Sequence, residues 1–115
     1  MPTYKTPDVY VEEIPSGVRE RTVVIVDDMI ATGSAMLRAV KACRKGGAAY
    51  IILAATHGLF LGGAQKLVAS SLVDRIIISD TIPPFRLDAR LVEEKVTILS
   101  ARQPIAAGIR NIVAV

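Results

Sequence analysis

Tryptophan is absent from this 115-residue chain, aromatic residues make up only 4% of it, and it has one cysteine and one histidine. The single cysteine, Cys43, excludes a disulfide framework and a thiolate zinc site, and it points to a reducing, cytoplasmic setting. Charge of one sign is also scarce. Lys and Arg number 14 against 11 Asp and Glu, for a net charge of +3. That excess suits an anionic small molecule but is too weak and too scattered for a nucleic-acid surface. No basic region followed by an apolar stretch opens the chain, so it does not read as a signal peptide. The long uncharged run from Gly46 to Gln65 is broken by Gly46-Gly47, Thr56-His57-Gly58 and Gly62-Gly63. A buried strand, a polar loop and a helix start account for it, and no membrane span is expected. Apolar residues make up 51% and charged residues 22%, which excludes intrinsic disorder. The core of one domain must then be built from Val, Ile, Leu and Ala.

The segments alternate in character. Thr22 to Val26 (TVVIV) is a β-branched run expected to be a strand covered on both faces, and Asp27 to Gly33 reads as a polar turn. From Ser34, a candidate N-cap, the period becomes helical: Met36, Leu37, Val40 and Cys43 share an apolar face opposite Arg38, Lys41 and Lys45. Gly46-Gly47 is the expected stop. A second strand follows at Tyr50 to Ala54, a helix at Ala64, Leu67 and Val68, and a third strand at Arg75 to Ser79. A fourth strand is expected at Lys95 to Leu99, then a last helix with an apolar stripe of Ile105, Ile109 and Ile112. This order predicts an α/β fold with a mainly parallel sheet of about four or five strands and flanking helices. The loops after Val26, Ala54 and Ser79 fall at the carboxyl edge of that sheet, where ligands of such folds bind.

One motif carries chemistry. Val23 to Ala35 reads VVIVDDMIATGSA: a strand, two carboxylates, two apolar residues, then Thr-Gly-Ser opening a helix. Asp27 and Asp28 can accept hydrogen bonds from vicinal sugar hydroxyls, or hold them through a divalent metal. The backbone amides of Thr32, Gly33, Ser34 and Ala35, with the Thr32 and Ser34 hydroxyls, can cradle a phosphate at a helix N-terminus. A diol and a phosphate recognised side by side describe a ribose 5-phosphate.

These residues resemble the signature of type I phosphoribosyltransferases. AATHGLFLGGA, IIISDTIPPFRL and VTILSARQPIAAGI extend the resemblance, in order, to the carboxyl-terminal part of the ribose-phosphate pyrophosphokinase (PRPP synthetase) family. The resemblance runs from Arg21 to about Val113 and implies a truncated phosphoribosyltransferase-like domain over residues 21–115. It implies ribose contacts at Asp27 and Asp28 and a 5-phosphate loop at Thr32, Gly33, Ser34 and Ala35. It also implies Mg²⁺ as cofactor, ribose 5-phosphate or PRPP as ligand, a role in nucleotide biosynthesis, and a homo-oligomer. His57, beside the implied ribose site, and Asp80, at the end of the third strand, are possible further contacts. No residue is assigned to catalysis, and no metal ligand is assigned.

The chain departs from the family pattern at Ala31, usually Asp, and at Ser34-Ala35, usually Gly-Thr. The lost threonine removes a phosphate contact of about 1.5–3 kcal/mol. The ATP-contacting half, the basic loop and the Gly-rich pyrophosphate loop of the synthetases have no counterpart before Thr22. Since phosphoryl transfer depends on positioning ATP, metal and acceptor together, the chain is expected to be a half-site, catalytically incomplete alone. A minimal phosphoribosyltransferase is an enzyme alternative, for which no pyrophosphate loop or base-binding hood is found.

Residues 1–20 hold three of the six prolines around a strand-like piece, Val9 to Ile14, and read as an extended arm. MPTYKTPDVYVEEIPSGVR resembles the opening of contractile phage tail sheath proteins, with Asp8 where those have Gly. That resemblance implies a structural alternative, an assembly module whose arm adds a strand to a neighbouring sheet. On that reading, deleting residues 1–17 raises aggregation or changes the oligomeric state.

Overall fold

A computed structural model describes residues 3–6, 9–12 and 16–113, the first two segments as backbone only. The expected α/β architecture is found. Strands β3 (Thr22–Ile30), β4 (Tyr50–Gly58), β5 (Arg75–Ser79) and β6 (Val96–Leu99) form an all-parallel sheet in the order β3-β4-β5-β6. Helices α1 (Ser34–Lys45), α2 (Ala64–Ala69) and α3 (Ala89–Lys95) make the three crossovers, and α4 (Arg102–Val113) follows β6.

Consecutive parallel strands joined by right-handed crossovers place all their connecting helices on one face of the sheet. Burial follows that rule. Ile51, Leu53 and Ala55 of β4, Ile76 and Ile78 of β5 and Val96 of β6 are buried against Met36, Val40 and Cys43 of α1 and Leu67 and Val68 of α2. Burial pushes the Cys43 thiol above its ordinary pKa, as a core cysteine requires.

The other face corrects the expectation that TVVIV is covered on both sides. Val24 is 53% and Val26 74% exposed, because the sheet has a helical layer on one side only. Two strand ends and one helix also differ. β3 and β4 run on through Asp27-Asp28 and Thr56-His57-Gly58, which pair in register (Asp27 with Ala55, Met29 with His57, Ile30 with Gly58) rather than forming loops. Helix α3, absent from the sequence reading, supplies the crossover that a parallel β5–β6 pair needs. Asp88 caps it by accepting from the Arg90 amide at 2.8 Å. The apolar stripe of α4 exists, yet Ile105, Ile109 and Ile112 are all exposed.

The amino-terminal segment forms an antiparallel hairpin of β1 (Thr3–Thr6) and β2 (Val9–Glu12), a separate two-stranded sheet with β2 beside α1. The expected strand Val9 to Ile14 is thus described as far as Glu12. Residues 13–15, and the side chains that carry the sheath-like resemblance up to Pro15, lie outside the described residues.

Candidate functional site at the carboxyl end of β3

Strand β3 delivers its acidic pair to the carboxyl edge, and a three-residue turn leads into α1. The turn is held from below. The Leu59 and Phe60 amides donate to the Ile30 carbonyl at 2.9 and 3.1 Å, and the Leu61 amide donates to the Ala31 carbonyl at 2.8 Å. Gly33 has φ of 79°, and a Cβ there would stand 2.7 Å from Leu67 Cδ2. Left-handed backbone and close approach to α2 both require glycine.

Gly33, not Ser34, is the N-cap of α1. No side chain caps this end, and its first turn carries no acidic residue. The first helical hydrogen bond runs from the Leu37 amide to the Gly33 carbonyl at 2.9 Å. The amides ahead of it therefore have no helical acceptor. Thr32 and Ser34 are exposed, with their hydroxyls 3.3 Å apart. Helix dipole, amides and two hydroxyls at one corner are the chemistry that can hold an anion.

Asp27 and Asp28 are both exposed. Being successive residues of a strand, they leave it on opposite faces. Asp27 stands on the α1 side, at the end of a cleft of about 630 Å³ that runs along the unpaired edge of β3 past Ala35 and Met36. Asp28 stands on the open side. The Asp28 amide donates to Asp27 Oδ1 at 2.7 Å, which fixes the first carboxylate. Among the described residues no three His, Cys, Asp or Glu side chains gather closely enough to hold a metal ion.

His57 gains a partner that the sequence reading did not place: its Nδ1 lies 2.7 Å from Thr81 Oγ1. Ser79 donates to the Thr56 carbonyl at 2.6 Å and its Oγ lies 3.0 Å from Thr81 Oγ1, so β4 and β5 are laced together at their ends. Asp80 is committed elsewhere, its Oδ1 accepting from the Ala101 amide at 2.8 Å. Ser79 is the member of this network that sequence reasoning missed; its signal was a hydroxyl closing an otherwise apolar strand.

A family model described as "Phosphoribosyl synthetase-associated domain" matches residues 3–114. The chain is 36% identical over 107 residues to the ribose-phosphate pyrophosphokinase of Haemophilus influenzae, covering 89% of this chain and 32% of that one. It is 38% identical over 95 residues to that of Vibrio parahaemolyticus, covering 83% and 30%. The crystal structure of phosphoribosylpyrophosphate synthetase from Mycobacterium smegmatis superposes with a TM-score of 0.74 at 29% identity, covering 89% of this chain and 33% of that one. The chain spans about a third of the length of the curated relatives it matches. Among the described residues no helix is long and apolar enough to cross a membrane.

Proposed function

Because the chain belongs to the phosphoribosyl synthetase-associated domain family, we propose that the corner between β3 and α1 binds ribose 5-phosphate or the ribose-phosphate part of PRPP. It would serve nucleotide biosynthesis in the cytoplasm. The observation that carries this reading is the uncapped start of α1 at Gly33, with the Thr32 and Ser34 hydroxyls beside it. Thr32, Gly33, Ser34 and Ala35 take the 5-phosphate. Asp27, on the same side of the sheet, accepts from a ribose hydroxyl, and Asp28 receives the second from across the end of β3. His57, held by Thr81, flanks the sugar. Asp80 anchors the turn after β5 through Oδ1 and offers its second carboxylate oxygen as a further ligand contact. Residues 21–115 form the ligand domain. None of its residues is assigned a step of phosphoryl transfer.

An amide-resolved NMR titration tests the reading. Ribose 5-phosphate should give saturable shifts centred on residues 32–35, weakened about tenfold by Ser34→Ala (one charge-assisted hydrogen bond) and further by Asp27→Asn. Mg²⁺ alone should give none. Absence of shifts at millimolar ribose 5-phosphate overturns the proposal.

A further inference from the structure

Phe60, in the segment between β4 and α2, has φ of 53°, in the left-handed region that bulky side chains avoid. Its side chain is buried. Among the described residues Glu20 is the other non-glycine residue with positive φ, and it is exposed. A left-handed aromatic residue persists in a core only when its surroundings hold it there, and such outliers gather at functional sites. The ring of Phe60 fills the space a side chain at Gly58 would take. A Cβ on Gly58 would stand 2.5 Å from Phe60 Cε2 and 3.0 Å from Ile78 Cδ1. The peptide that enters Phe60 is held at both ends. Its carbonyl, that of Leu59, accepts from Arg86 Nη1 at 3.3 Å, and its N–H donates to the Ile30 carbonyl at 3.1 Å.

The three amides around Phe60 show what this conformation does. Leu59 and Phe60 donate to the Ile30 carbonyl and Leu61 to the Ala31 carbonyl. A left-handed residue turns consecutive amides to one side, the geometry that elsewhere makes an anion-binding nest. Here two carbonyls of the turn before α1 fill the nest. In a trans peptide the N–H points opposite to the carbonyl. By holding the Ala31 carbonyl towards itself, Leu61 aims the Thr32 N–H the other way. Accepting that bond also polarises the peptide and strengthens its N–H as a donor. Thr32 is exposed.

We propose that Phe60 is a positioning residue of the sugar-phosphate site. Its left-handed backbone directs the amides of residues 59–61 at Ile30 and Ala31, and so presets the Thr32 amide for the phosphate. This rests on the ribose 5-phosphate reading of the corner between β3 and α1. Phe60 itself makes no contact with the ligand.

Ribose 5-phosphate titrations of the full chain, read by amide shifts, test the role with two variants. Phe60→Leu is not branched at Cβ and meets left-handed backbone on the same terms as phenylalanine, so it should bind within about twofold of wild type. Phe60→Val, branched at Cβ and strongly opposed to that conformation, should bind about fivefold more weakly or worse. Val73→Ala truncates the core at the amino end of β5. It should lower the urea midpoint and leave binding within about twofold of wild type, which separates positioning from stability. A second measurement needs no variant. The scalar coupling across the hydrogen bond between the Leu61 amide nitrogen and the Ala31 carbonyl carbon should be present in the free wild type. It should persist in Phe60→Leu and be lost in Phe60→Val. A wild type that does not bind overturns the sugar-phosphate reading and this role with it. With wild-type binding intact, the role alone is overturned by any of three results: Phe60→Val binding like wild type, Val73→Ala weakening binding as much as Phe60→Val, or no coupling in the wild type.

Discussion

Gly33 shows how one residue sets the chemistry of the loop. Its φ of 79° and the 2.7 Å approach a Cβ would make to Leu67 act in the same direction, so alanine there meets both a backbone penalty and a clash. Left-handed backbone alone costs a non-glycine residue about 1–2 kcal/mol. Gly33→Ala should therefore lower stability by about 2–3 kcal/mol and abolish the ribose 5-phosphate shifts. Gly63 is the control within the same pair of elements. It has φ of −80° and open space around it, so Gly63→Ala should be neutral or stabilise by up to about 1 kcal/mol. Urea unfolding of the two variants, followed by the titration, reads both effects. At this scale the sequence was informative about residue type and blind to direction. The motif named Asp27, Asp28 and the Thr-Gly-Ser turn. That the carboxylates leave β3 on opposite faces depends on the strand continuing to Ile30, which is decided by pairing with Met29–His57 and Ile30–Gly58.

At the scale of elements, the ends of the strands opposite the site are tied by a cluster that hydrophobic periodicity does not reveal. Arg44, in the last turn of α1, donates to the carbonyls of Leu72, Ala48 and Ala49 and to Asp74 Oδ2 at 2.7 Å. The same carboxylate oxygen accepts from the Ile51 amide at 2.7 Å. One ion pair thus fixes the exit of α1, the entry of β4 and the turn before β5. Arg44→Leu should cost about 2–4 kcal/mol by leaving a half-buried carboxylate and several carbonyls unsatisfied. Asp74→Asn, which keeps an acceptor for Ile51, should cost about half as much; urea midpoints check the order. Lys95, at the end of α3, makes a neighbouring tie to the Ser70 and Val73 carbonyls. Desolvation holds its pKa below the ordinary lysine value, with Asp74 opposing. Between the lowered folded value and the ordinary unfolded one, the unfolded chain binds more protons. The contribution of Lys95 to stability therefore rises with pH across that window. The melting temperature of the wild type should gain on that of Lys95→Arg as pH is raised through it, and a constant difference would refute the burial argument.

For the molecule as a whole, the alternation of strand and helix patterns was enough to fix a parallel α/β sheet, because parallel connections leave few topologies open. Three things were not legible. Helix α3 is short and enters through a proline-rich turn, so its period is too brief to stand out. The open face was invisible because an unbroken apolar strand reads the same whether one side is covered or both. The fate of the arm, read as adding to a neighbouring sheet, was not legible either; β1 and β2 pair with each other, and among the described residues β3 is an edge. The last point separates two modes of assembly. An arm that exchanges strands would make the oligomer depend on residues 1–17. A hairpin whose two strands pair with each other would not. Deleting residues 1–17 should accordingly leave the sedimentation equilibrium constant within about threefold of the full chain, well under the 1.4 kcal/mol of a tenfold change. Dissociation on deletion would assign assembly to the arm.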